Sequence, residues 1–220
     1  MPTPEIIYMG YIVPAAVVIP IAAGLFKYRC CSKPIKIIFY YLLLNGAINI
    51  LAVLLAGHKI NNLPLLHLFT ILEFLLLSRF YQSIFTSKWL KKAVGYTMVV
   101  FTLLCIVNFT FFQSIRQFNT NTRPLEALLL MGYGLLFSAR VANMDVDAKW
   151  SSNPHNWANT AILLYFSGAL FVFSFSNITS GRITGPKYHA LDVLIWNIHA
   201  TLVLAMYLLF ARGIRACKTI

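Results

Sequence analysis

Seven times along the 220-residue chain, apolar residues run almost unbroken for membrane length, at about 6–26, 36–56, 63–84, 93–113, 124–143, 157–178 and 189–211. A hydrocarbon core of about 30 Å is crossed by about 20 helical residues, and each run reaches that length. An open sheet edge is untenable in lipid, so all seven runs are predicted to be helices. The expected fold is an all-α, seven-transmembrane-helix bundle, with residues 1–220 forming one polytopic membrane domain. Connectors are short and no soluble domain is expected, so any output must pass through the bundle or a partner chain. The first run follows Glu5 with no Lys or Arg before it and has full membrane length, which predicts an uncleaved first span.

Prolines punctuate this pattern. Pro34, Pro64, Pro124, Pro154 and Pro186 stand at or just before predicted helix starts, where a missing N–H costs no hydrogen bond. Asn62 and Asn153 are natural caps beside two of them. Pro14 and Pro20 instead fall inside the first run and should bend it, most simply as a packing kink.

The polar interruptions are few, and the sharpest lies in the third run. There His67 stands near one end, Glu73 near the middle and Arg79 near the other end. A central carboxylate costs roughly 2.5–3.5 kcal/mol on an insertion scale, whereas each leucine returns about 0.3–0.6. The eight leucines between Leu63 and Leu77 therefore outweigh Glu73, and the segment inserts. Glu73 itself needs a partner or a proton and should face the bundle interior.

Counting at about 1.5 Å per residue puts Asn45, Glu73, Tyr133, Ser167, Asn197 and His199 near mid-membrane, with His67, Asn108, Glu126 and Asp192 in the outer half. The candidate polar centre, a binding site opening outward, comprises Asn45, His67, Glu73, Asn108, Glu126, Tyr133, Tyr165, Asn197 and His199. The plainer alternative is interhelical hydrogen bonding, each bond worth about 0.6 kcal/mol.

Composition and charge narrow the classes. Apolar and aromatic residues make up 59% of the chain and charged ones only 11%, too little polar surface to cover a soluble domain. The net charge of +12 comes from basic residues in the connectors, where topology and anionic headgroups account for it; nucleic acid is excluded as a partner. With the amino terminus outside, thirteen Lys and Arg fall inside and five outside, the five being Lys59, Arg116, Arg123, Arg182 and Lys187. That bias predicts an outside amino terminus and an inside carboxyl terminus, with Trp89, Trp150 and Trp157 near the inner interface.

Several chemistries fail on spacing. Cys30 and Cys31 are adjacent, and with Cys105 and Cys217 they match no zinc, redox or disulfide framework. The seventh run has no lysine at depth for a retinal Schiff base, only Lys187 at its mouth. His189 and His199 are too far apart for the one-turn histidine pair of seven-span zinc hydrolases, and no Gly-x-Ser-x-Gly occurs. No cofactor or metal is predicted. An acid–base pair drawn from Glu73, His67 and His199 keeps a membrane hydrolase or cyclase open. An echo between Asn45-Gly46-Ala47 and Ser167-Gly168-Ala169, and between His67…Arg79 and His199…Arg212, keeps open a small transporter with a three-plus-one-plus-three repeat.

The most distinctive strings are Asn153-Pro154-His155-Asn156-Trp157-Ala158-Asn159-Thr160, then Leu164 to Gly168 and Phe171 to Asn177. Together with Phe118-Asn119-Thr120 and Pro124-Leu125-Glu126, they give a chain that resembles an uncharacterised group of small seven-span membrane proteins of Bacteroidota-type bacteria. Members of that group often sit beside two-component signalling genes, and it offers no catalytic residues to carry over. The resemblance implies a sensing or accessory role. The function expected is that of a receptor-like sensor in a plasma or bacterial inner membrane. It would bind a small molecule or lipid in the polar centre and signal to a cytoplasmic partner such as a histidine kinase.

Overall fold

A computed structural model describes residues 4–143, 149–179 and 186–218, and their side chains except at positions 6, 175–179, 186–189 and 192. Arg182 and the side chains of Asn177, Lys187, His189 and Asp192 therefore lie outside the described residues. The described residues are helical, without strands, and contain seven helices long and apolar enough to cross a membrane. These are α1 (Tyr8–Cys30), α2 (Lys33–Gly57), α3 (Leu63–Ile84), α4 (Lys88–Phe112), α5 (Thr122–Ala142), α6 (Pro154–Thr179) and α7 (Pro186–Arg215). The chain is a multi-pass membrane protein. Its outside carries many large exposed apolar side chains, among them Phe26, Tyr96, Phe111 and Phe112, suited to contact with the bilayer.

Proline chemistry explains most helix limits. Pro34 and Pro64 sit in the first two positions of α2 and α3, and Pro154 and Pro186 open α6 and α7. Asn153 caps α6 by accepting from the His155 N–H at 3.0 Å. At α3 the side chain that caps is Asn61, which accepts from the Leu63 N–H at 2.9 Å; Asn62 instead donates to the Ala52 carbonyl. Within α1, the α-pattern gives way to a π-turn over Tyr8–Ile12 and lapses at Ala16–Val17, between Pro14 and Pro20. Each ring removes one backbone donor and crowds the preceding turn.

The helices close into a ring in the order α1, α2, α3, α5, α6, α7, with α4 outside it against α3 and, more lightly, α5. The first helix packs chiefly on the last. At the end carrying most basic residues, Arg212 of α7 stacks on Trp157 of α6, and Cys31 donates to Cys217 with the sulfurs 2.9 Å apart. The two halves of the sequence echo meet unlike surroundings. Gly46 faces Ile21 and Val17 of α1, whereas Gly168 faces Leu202 of α7.

The connector between α4 and α5 folds back into the bundle. Irregular backbone at such depth survives only when protein satisfies it, and here it does. His67 donates through Nε2 to the Gln117 carbonyl at 2.9 Å, and Gln113 donates to the Phe118 carbonyl and the Thr120 hydroxyl at 2.8 and 2.7 Å. Asn119 donates to Thr70 at 3.2 Å, while its own oxygen accepts from the Thr122 N–H and hydroxyl at the start of α5. Helix α5 thus begins at Thr122, and Arg123 lies in its first turn rather than in an outer loop.

Candidate functional site

Where the re-entrant connector meets α2, α3, α5, α6 and α7, a cavity of ≈ 200 Å³ remains. Its polar wall begins on α2, where Tyr41, Asn45 and Asn49 follow one another at four-residue spacing and so share a face. Asn49 donates to the Asn45 oxygen at 2.8 Å, as does the Tyr207 hydroxyl of α7, also at 2.8 Å. The Asn45 amide donates to the Tyr41 oxygen at 3.3 Å, and the Tyr41 hydroxyl donates to Glu73 Oε1 at 2.7 Å. One continuous chain of hydrogen bonds therefore joins α7, α2 and α3.

Glu73, 1% exposed, carries this chain onward. Its Oε2 pairs with Arg123 Nη1, and the same nitrogen reaches Glu126 Oε2 at 2.8 Å. One guanidinium thus holds two buried carboxylates, which resolves the acidic residues the sequence left in apolar surroundings. Every hydrogen bond that Arg123 makes among the described residues leaves from Nη1. Its charged plane lies 5.8 Å from the Phe69 ring and 5.1 Å from the Phe173 ring, within cation–π range. Glu126 Oε1 is buried without a partner among the described residues.

The apolar wall is aromatic. Phe118, Phe173, Tyr165 and Trp196 stand around His199, whose ring lies 5.6, 5.4 and 5.7 Å from Tyr165, Phe173 and Trp196. His199 Nδ1 is buried and has no hydrogen-bond partner among the described residues. On the side of the basic end, Leu77, Phe80, Tyr81, Phe210 and Ile214 are at most 1% exposed, so the floor is closely packed.

Of the residues singled out in the sequence, Asn45, Glu73, Tyr165 and His199 line the cavity, and Glu126 joins it through Arg123. His67 and Asn108 belong to the frame of the re-entrant connector, where Asn108 accepts from Asn121 at 2.9 Å. Tyr133 lies ten residues beyond Arg123 on α5, about 15 Å nearer the basic end, hydrogen-bonded to Thr97 of α4. Asn197 is two residues from His199, about 200° around α7, and does not line the cavity. Ser167 turns its hydroxyl back to the Leu164 carbonyl at 3.1 Å.

Arg123, Tyr41, Asn49, Asn119 and Tyr207 were missed. The Tyr41, Asn45, Asn49 stripe was visible in the spacing. So was the need of two buried acids for a cation within reach. No family model, no curated protein and no solved structure matches the chain.

Proposed function

We propose that the protein is a receptor-like membrane sensor that binds a small molecule or lipid in this cavity and signals through the bundle to a cytoplasmic partner. The observation carrying the reading is that Arg123 and Glu73, with Glu126 behind them, wall an open space instead of packing shut. A cluster serving only as interhelical glue needs no such space. The packing of Leu77 and Phe210 across the cavity's floor, both at most 1% exposed, favours a receptor over a transporter. It also favours binding over catalysis. Both oxygens of Glu73 are already engaged, one by Tyr41 and one by Arg123, which weakens it as a general base.

In this reading the amino terminus is outside a plasma or bacterial inner membrane, as the distribution of Lys and Arg favours. The basic connectors would then meet a partner such as a histidine kinase, in keeping with the group the chain resembles. The test is native mass spectrometry of gently extracted wild type and Glu73→Gln. The expected result is a defined adduct on wild type that is lost or reduced in the variant. Two empty proteins of equal thermal stability would overturn the reading and leave the cluster as glue between helices.

A further inference from the structure

Beside the polar cavity lies a second one of ≈ 440 Å³, between α1, α2 and α7. Its outer wall is apolar, formed by Met9, Val13, Pro14, Val193 and Ala200. Asn49, Trp196, His199, Val203 and Tyr207 line both spaces, so the two meet along one face of α7. The groove lies where α1 departs from α-helical geometry, at the π-turn of Tyr8–Ile12 and the adjoining Pro14. At the shared boundary sits His199, with its buried Nδ1 unpartnered.

We propose that the ligand is a single-chain membrane amphiphile that comes in sideways from the bilayer, its chain along the α1–α7 groove and an uncharged, oxygen-bearing head between His199 and Arg123. This deepens the sensor reading and rests on it. The head follows from charge. Arg123 already serves two carboxylates, so a third anion would crowd one guanidinium, and a cationic head would compete with it for Glu73. A hydroxyl or carbonyl costs neither, and it meets polar groups that the protein leaves unused, His199 Nδ1 and the Arg123 nitrogens other than Nη1. The chain follows from the medium. Lipid tails are as apolar as the groove, so burying the chain adds little affinity and selectivity rests on the head.

The test uses three long-chain photoprobes with a diazirine in the chain and a hydroxyl, sulfate or primary-amine head, plus a short water-soluble diazirine alcohol. Each is irradiated with the full-length protein in nanodiscs and the labelled peptides are mapped. The expected result is that the long hydroxyl probe marks α1 near Met9–Val13 and α7 near Val193–Val203, above the sulfate and amine probes. His199→Phe, which removes the head's partner, and Ala200→Phe, which fills the groove, should each lower that labelling about tenfold, as for loss of one well-made polar contact or its space. The wild-type map needs no variant to fold, so it decides the outcome even if a variant is lost. Cavity labelling by the short probe alone would overturn the sideways route and the amphiphile while leaving the sensor reading standing. Equal labelling by all long probes, unchanged in both variants, would be ordinary lipid contact and would overturn the proposal. No labelling of the groove or cavity by any probe would overturn it too, and with empty wild type in native mass spectrometry the sensor reading falls with it.

Discussion

Arg123 is the counter-charge of both Glu73 and Glu126, so its removal strands two carboxylates at a depth where neither meets water. Breaking a buried pair by deleting one partner typically costs about 3–5 kcal/mol. Arg123→Met should therefore lower the thermal midpoint in detergent far more than Glu126→Gln. The triple variant Arg123→Met, Glu73→Gln, Glu126→Gln should recover part of the loss. Equal midpoints for Arg123→Met and wild type would mean the acids are not held as charges. Arg123 was hard to read from the chain because it stands beside a connector and counts there as a topology signal. Its role depends on α5 starting two residues before Pro124 and on the connector dipping inward, neither of which hydropathy encodes. Glu73 and His199 were legible because an ionisable group within an apolar run has few structural excuses. The cysteines carry a second expectation at this scale. Burial holds the Cys31 thiol above its ordinary value and pushes Cys217 up to about 12. Both are thus protonated at neutral pH and poor nucleophiles. Alkylation of Cys217 by iodoacetamide should keep rising about tenfold per pH unit from pH 7 to 10, and a plateau near pH 8.5 would contradict that burial.

Among the elements, the α4–α5 connector is the part whose form hydropathy least announced. Its sequence, rich in Asn, Gln, Ser and Thr, predicts an exposed loop, yet those side chains are what satisfy its backbone inside the bundle. Asn119→Ala deletes the bond to Thr70 and the cap on Thr122 together, and should cost about 1–2 kcal/mol. Hydrogen exchange should then accelerate across Gln117–Thr122 and leave α6 unchanged; unchanged exchange in the connector would place its anchorage elsewhere. The seven spans themselves were legible throughout, because twenty apolar residues in a row leave the backbone one solution in lipid. The break in α1 was equally plain from Pro14 and Pro20, although the groove it borders was not, since that requires knowing that α7 passes there.

At the scale of the whole molecule, orientation is the property that decides which end faces a signalling partner. A carboxyl-terminal green fluorescent protein fusion should fluoresce and a carboxyl-terminal alkaline phosphatase fusion should be inactive; the reverse pattern would invert the reading. The ring order was not legible, because hydropathy ranks helices as membrane spans without saying which are neighbours.

That order also sets a schedule for making the protein. Because α1 packs chiefly on α7, a helix made early waits for one made much later. At about 5–20 residues per second, the roughly 160 residues between them take about 8–30 s to synthesise. Throughout that interval the face of α1 destined for α7 has only lipid against it, and Asn45 lacks the Tyr207 hydroxyl. Nascent chains that stop short of α7 should thus be recognised as unpaired by membrane quality control, and the arrival of α7 is the event that closes the ring.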